Sequence, residues 1–152
     1  MRGAVLLILG LVICYLSPVL ASPNVIGVEE ESPLAHLDGF GVVIAVADTG
    51  IDMDHSCFRN STNDVGAPGE FHRKILHLND SVDGWDTQGH QQFRHGTHVA
   101  GILACSHIDG TNESISLSSE AKLVIQDIVG PNGWQAPEDV TTLLAESSHF
   151  GA

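Results

Sequence analysis

One uninterrupted apolar run constrains the fold of this chain more than any other feature. Residues 42–47 read VVIAVA, are rich in β-branched side chains, and end at the polar sequence Asp48-Thr49-Gly50. Such a run leaves no polar face for solvent, so it predicts a strand that is buried on both faces, as in the middle of a parallel sheet. A parallel sheet of this kind needs helices on both of its faces.

The rest of the chain supplies further strands and the helices. The pattern predicts a short strand at 74–78 (KILHL), a helix at 95–105 (HGTHVAGILAC), a strand at 121–129 (AKLVIQDIV), and a second helix that begins at Pro137 and continues to Ala152. Turn residues at 130–133 (GPNG) separate the last two elements. This alternation predicts an α/β fold with a mostly parallel sheet flanked by helices.

Both helices have features that predict how they pack. In the first, Val99, Ile102 and Leu103 share one face, and the small residues at 96, 100 and 101 allow a close approach to the sheet. In the second, Glu138 and Asp139 are expected in the first turn, where carboxylates are favourable. Val140, Leu143 and Leu144 would form its apolar face.

Length and charge limit the classes of protein to consider. The chain has 152 residues, 43% of them hydrophobic and 16% charged, which fits one domain with a buried core. Its formal net charge is −13. Because nucleic acids and anionic membranes attract cationic surfaces, this charge argues against either as a partner.

The first 21 residues have the pattern of a secretory signal peptide. Arg2 gives a positive start, residues 4–16 are apolar, and Ala21 follows Val19-Leu20 as a small residue at the expected cleavage position. A membrane span needs about 20 apolar residues, and Ser17-Pro18 interrupts this run earlier. We therefore expect a signal peptide at 1–21, an N-terminal segment at 22–36, a folded domain at 37–152, and a secreted protein with no membrane attachment after cleavage.

Two cysteines remain after the signal peptide. Cys57 and Cys105 would enter an oxidising compartment, where they could form a disulfide bond. The alternative is a buried thiol at Cys105, which follows the apolar residues 102–104. The sequence leaves both interpretations open.

Asp48 and His95 are the candidate catalytic residues. Asp48 ends the first buried strand, and open α/β sheets place reactive groups at the carboxyl ends of their strands. His95 begins the first predicted helix. If the two side chains meet, the carboxylate can accept a hydrogen bond from one ring nitrogen and stabilise the ring when the other nitrogen takes a proton. His95 would then act as a general base towards a serine nucleophile.

The residues around this pair resemble two motifs of the subtilisin-like serine peptidases. VIAVADTGID at 43–52 resembles the aspartate box of that family, and HGTHVAGI at 95–102 resembles its histidine box. The resemblance implies a subtilisin-like α/β fold and a serine endopeptidase acting on polypeptides. It also implies Asp48 as the aspartate and His95 as the base of an Asp–His–Ser triad, and calcium binding for which no ligands can be assigned. No other cofactor is expected.

The chain also departs from that family. No GTS-type serine box occurs in the sequence, and no Asn can be placed as the oxyanion donor. We therefore expect the N-terminal part of a peptidase domain, incomplete at its C-terminus and inactive alone. The alternative is a noncatalytic secreted binding module, or a pseudogene product, that keeps the first half of the fold.

A metal-dependent hydrolase is a third interpretation. His95 and His98 are spaced to face one way on a helix, but the sequence offers no third ligand, and no Glu follows His95 as in an HExxH site. We expect no metal in catalysis, and we interpret His98 as a structural residue that packs near the box.

Overall fold

A computed structural model describes residues 8–9, 37–82, 86, 94–106, 108, 116–135 and 137–152. Apart from residues 8 and 9, the predicted signal peptide lies outside the described residues, as does the predicted segment 22–36. In chain order the elements are β1 (Ile8–Leu9), β2 (Val43–Asp48), β3 (Ile75–Asn79), α1 (His95–Ala104), β4 (Lys122–Asp127), β5 (Val129–Gly130), β6 (Gly133–Trp134) and α2 (Thr141–His149).

The main sheet is parallel throughout, in the order β1-β2-β4-β3. Strands β2 and β4 pair along their whole length, from Val43 opposite Lys122 to Asp48 opposite Asp127. The three predicted strands are confirmed, although the last one ends at Asp127 and its continuation forms the short hairpin β5–β6. Within the described part of the chain, no helix is long and apolar enough to cross a membrane.

Strands β2 and β4 are buried on both faces, as the apolar run predicts. Alternate residues of the two strands pack on the α1 side, in the cluster that includes Ile44, Val46, Leu123 and Ile125. The residues between them face the other side, where Ala45 and Val124 pack with Ala152 and where Ala47 packs with Leu143 of α2. Helices therefore cover both faces of the sheet, and the α/β architecture is confirmed.

Helix α1 turns its small residues to the sheet. Its buried residues are Gly96, Thr97, Ala100 and Ala104, whereas Ile102 is 44% exposed. The prediction that Val99, Ile102 and Leu103 form the apolar face is therefore wrong in part. Val99 and Leu103 pack against the core but are only partly buried. Where a helix lies this close to a strand end, only small side chains fit between them. This limit on size, and not the spacing of the larger apolar residues, decides which face of α1 contacts the sheet.

Helix α2 begins later than the sequence predicts. It starts at Thr141, so Glu138 and Asp139 precede it and do not lie in its first turn. Asp139 Oδ1 accepts a hydrogen bond from the Thr141 N–H at 2.9 Å. The side chain of Asp139 competes with the helix for a backbone partner, which favours a turn at this position. Hydrogen bonds from the side chain of Thr141 and, to a smaller extent, from its backbone N–H lower the pKa of Asp139 from its ordinary value.

Helix α2 also ends before the last residue, contrary to the prediction that it continues to Ala152. The Gly151 N–H donates to Ser148 O and the Ala152 N–H donates to Ser147 O, each at 3.1 Å. Gly151 has a φ of 91°, which a glycine adopts without strain. These two bonds form a Schellman motif, which ends the helix at His149.

Two bridges fix the C-terminal end of α1. Cys57 and Cys105 form a disulfide bond, which resolves the two alternatives left open by the sequence. Beside it, the Arg73 guanidinium donates to Ser106 O at 2.8 Å, to Cys57 O at 3.0 Å and to Arg59 O at 2.8 Å. The loop after β2 and the end of α1 are therefore joined both covalently and through a half-buried cation.

A buried neutral histidine precedes β3. His72 is 2% exposed, and its Nδ1 accepts hydrogen bonds from the Lys74 and Ile75 N–H groups at 3.1 and 2.9 Å. With Nδ1 as acceptor, Nε2 carries the proton and donates to Val65 O at 3.0 Å. Burial lowers the pKa of His72 from its ordinary value of 6.5, against a smaller raising effect of the bond to Val65. Protonating Nδ1 would break both bonds that it accepts.

We expect His72 to make the fold sensitive to acid. Because its folded-state pKa lies below 6.5, the unfolded chain binds a proton first as the pH falls. The contribution of the neutral His72 ring to the free energy of unfolding is complete above pH 6.5. It is lost as the pH falls through that value towards the folded-state pKa. Urea unfolding between about pH 8 and about pH 5 should show a smaller loss of stability for His72→Gln than for the unaltered chain. His149→Gln, at an exposed position, serves as control, and an equal pH dependence in all three chains would contradict the expectation.

We expect Gly96→Ala to destabilise the fold. A Cβ there would overlap Gly50 O and would lie 3.2 Å from Asp48 Cβ. The better helix propensity of alanine cannot offset this clash, so the free energy of unfolding should fall by about 2 kcal/mol.

Gly101→Ala on the same helix is the matched control, because nothing lies within 4 Å of its added Cβ. Here only the helix propensity changes, and the free energy of unfolding should rise by about 1 kcal/mol. Equal effects of the two substitutions in chemical denaturation would show that α1 does not approach β2 as described.

Candidate active site

Asp48 is the last residue of β2, and its side chain is held at the carboxyl edge of the sheet. The residue is 5% exposed. Its Oδ1 accepts hydrogen bonds from the Thr49 N–H at 2.8 Å and from His95 Nδ1 at 2.7 Å. The structure therefore brings together the two residues that the sequence singles out, although they lie 47 positions apart.

His95 is the first residue of α1, and its side chain is half exposed, at 53%. A carboxylate offers only acceptors, so Nδ1 must carry the proton that is shared with Asp48. This bond fixes the tautomer and leaves Nε2 as the nitrogen that can take a proton from a bound group. A buried carboxylate beneath a half-exposed imidazole is an arrangement suited to general-base chemistry.

Two neighbouring contacts reinforce this pair. The Gly96 N–H donates to Thr49 Oγ1 at 2.8 Å, and the Asp52 N–H donates to Thr97 Oγ1 at 2.8 Å. The last residue of β2 and the loop that follows it are thus joined to the first turn of α1 at three places. Because these bonds are short and directional, the distance between the Asp48 and His95 side chains is set by the backbone on both sides.

Asp86 belongs to the same network of hydrogen bonds and is not among the residues predicted from the sequence. Its carboxylate is buried and accepts hydrogen bonds from the Arg94 N–H, from the Thr97 N–H at 3.1 Å and from Thr97 Oγ1 at 2.8 Å. One signal could have found it. Arg94, which precedes the helix, is a poor capping residue, so an Asp or Asn elsewhere in the preceding loop was needed.

A second carboxylate lies beside Asp48 at the carboxyl edge of the sheet. Asp127 ends β4 directly opposite Asp48 in the strand register, and it is 3% exposed. Its Oδ1 accepts a hydrogen bond from the Val129 N–H at 3.3 Å. The sequence places Asp127 in a strand but gives no reason to expect it at this site.

His98 does not pack near the box as predicted. It is exposed on α1, because the face that contacts the sheet is formed by the residues at 96, 97, 100 and 104. Among the residues that the structure describes, there is no group of three or more His, Cys, Asp or Glu side chains that could hold a metal ion.

The chain is similar to parts of known proteins that are named as proteases or peptidases. The chain is 31% identical over 131 residues to the serine protease/ABC transporter B family protein tagD of Dictyostelium discoideum, a match that covers 76% of this chain and 7% of that protein. It is 29% identical over 118 residues to the serine protease/ABC transporter B family protein tagA of the same organism. That match covers 70% of this chain and 6% of tagA. Bacillopeptidase F of Bacillus subtilis (strain 168) is 32% identical over 89 residues, covering 57% of this chain and 6% of that protein.

This chain therefore corresponds to a small part of each of these longer proteins. The model of the subtilase family matches residues 39–143, a stretch that contains Asp48, His95 and all the contacts between β2 and α1. The resemblance of the two boxes is thereby confirmed, and the chain belongs to the subtilase family.

Proposed function

We propose that this chain provides the aspartate and the histidine of an Asp–His–Ser catalytic triad in a serine endopeptidase. The observation that carries the proposal is the 2.7 Å bond between His95 Nδ1 and Asp48 Oδ1, with the carboxylate buried and the ring half exposed. Family membership supports the reaction class. The substrate would be a polypeptide.

The nucleophile would come from outside these 152 residues. The sequence has no GTS-type serine box, so the chain alone would not hydrolyse peptide bonds. In the longer protein, the serine Oγ would attack the scissile carbonyl while His95 Nε2 takes its proton. The same nitrogen would then give the proton to the leaving amine, with Asp48 holding the ring and stabilising its charge.

We also propose that the protein enters the secretory pathway. The pattern of residues 1–21 supports this location. The disulfide between Cys57 and Cys105 supports it as well, since such bonds persist in oxidising compartments. We propose no cofactor for the reaction itself, and calcium, where bound, would have a structural role.

The catalytic proposal is tested in the full open reading frame that contains these residues. We expect His95→Ala to lower kcat by about 10⁴-fold or more, because the general base is lost. Asp48→Asn should also lower kcat strongly, because the amide favours the wrong tautomer of the ring.

His98→Ala is the matched control, since it removes an exposed imidazole three residues further along the same helix. It should leave kcat unchanged. If His95→Ala hydrolyses peptides as fast as the unaltered protein, the triad assignment fails. If the unaltered protein hydrolyses no peptide, the noncatalytic alternative gains support.

The location is tested by expressing the chain in secreting eukaryotic cells. The secreted material should begin near Ser22, and a peptide map without reductant should contain the Cys57–Cys105 cross-link. Ala21→Arg should block cleavage, because the enzyme that removes signal peptides requires a small residue there. Retention of Met1 in secreted material from the unaltered chain would contradict the signal peptide.

A further inference from the structure

Helix α1 begins without a cap of its own. Arg94 occupies the N-cap position with a left-handed backbone (φ 67°, ψ 2°), its side chain makes no capping hydrogen bond, and the first turn contains no acidic residue. The first amide groups of a helix have no partners within the helix. This helix must therefore take acceptors from other parts of the chain.

Asp86 provides acceptors on both sides of His95. Its Oδ1 accepts from the Arg94 N–H, and its Oδ2 accepts from the Thr97 N–H at 3.1 Å and from Thr97 Oγ1 at 2.8 Å. Arg94 immediately precedes the base, and Thr97 follows it by two residues. One buried carboxylate thus holds the backbone on each side of the catalytic ring.

Asp86 is also tied to the loop that follows Asp48. The Asp86 N–H donates to Ile51 O at 3.3 Å, and Thr97 Oγ1, while donating to Asp86, accepts from the Asp52 N–H at 2.8 Å. Asp86 is 2% exposed, so solvent cannot replace these partners without opening the site. Its position is therefore fixed relative to both members of the Asp48–His95 pair.

We propose that Asp86 is a positioning residue for His95, which sets the first turn of α1 so that Nδ1 meets Asp48 at hydrogen-bond distance. The inference rests on the proposed function, in which His95 is the base. The effect is transmitted through the backbone at Arg94 and Thr97. A displacement of about 1 Å at a catalytic group can cost about 100-fold in rate, so an acceptor that fixes this turn matters to the reaction.

The test is the Asp86→Asn substitution in the full open reading frame that contains these residues, examined by proton NMR. A proton held in a short bond between a histidine ring and a carboxylate resonates far downfield and exchanges slowly with water. We expect one such resonance from His95 Nδ1–H, identified by its absence in His95→Ala. Asparagine keeps the shape of Asp86 but replaces one accepting oxygen by an NH₂ group, and we expect the resonance to disappear.

Asp139→Asn is the matched control. It alters the same kind of carboxylate at the start of the other helix, where Oδ1 accepts from the Thr141 N–H at 2.9 Å. We expect this variant to keep the His95 resonance. If Asp86→Asn is folded by circular dichroism and keeps the resonance at its original position and exchange rate, then Asp86 only caps the helix and the inference is overturned.

A second pair of variants decides the question if Asp86→Asn does not fold. Thr97→Val removes the hydroxyl that links Asp86 to the Asp52 N–H, whereas Thr97→Ser keeps it. Thr97→Val keeps the backbone bonds from Arg94 and Thr97 to Asp86 but weakens the tie of Asp86 to the loop after β2, so the resonance should shift or exchange faster with water in this variant and stay unchanged in Thr97→Ser. An unchanged position and exchange rate in both variants would overturn the inference. Because this readout needs neither substrate nor serine, it can fail while His95 remains the base, and the hydrolysis test can fail while the positioning holds.

Discussion

The structure depends on how closely the start of α1 approaches the end of β2. This approach leaves no room for a side chain at position 96. Gly96 meets that condition, because a Cβ there would overlap Gly50 O. Only at this separation can the Gly96 N–H reach Thr49 and can His95 Nδ1 reach Asp48. The contact between Asp48 and His95 is therefore a consequence of backbone packing, because the fold sets the distance at which the two side chains meet.

The sequence predicts well the elements whose patterns are local. Strand β2 follows from a continuous apolar run. Placing Asp48 at a strand end and His95 at a helix start makes their contact possible, but the structure is needed to establish it. The packing of α1 is predicted only in part: Gly96 and Ala100 face the sheet as expected, whereas Gly101 does not and Ile102 is exposed. Hydrophobic periodicity reports which side chains are apolar, but the distance between a helix and a sheet decides which of them fit.

Asp86 and the ends of α2 could not be predicted for a different reason. The partners of Asp86 come from residues 51, 94 and 97. Arg94 is a poor cap and indicates that an acceptor is needed, but Asp80 and Asp83 lie in the same polar stretch of sequence, and nothing in it says which carboxylate serves. The start of α2 depends on whether Asp139 bonds to its own backbone or joins the helix. Its end depends on Gly151 taking a left-handed conformation. In each case a single hydrogen bond or dihedral angle decides between two structures that the sequence allows about equally.

Helix α1 is held at both ends, and the two ends serve different purposes. At its C-terminal end, the Cys57–Cys105 disulfide and the Arg73 guanidinium tie the helix to the loop after β2. A helix of this length, about 15 Å, behaves as a rigid rod, so fixing one end still permits rotation about that end. The bonds at the other end, from Asp86, Thr49 and Asp52, restrict that rotation together with the packing of α1 on the sheet. The disulfide therefore keeps α1 on the sheet, while the polar contacts of its first turn determine where the imidazole of His95 lies.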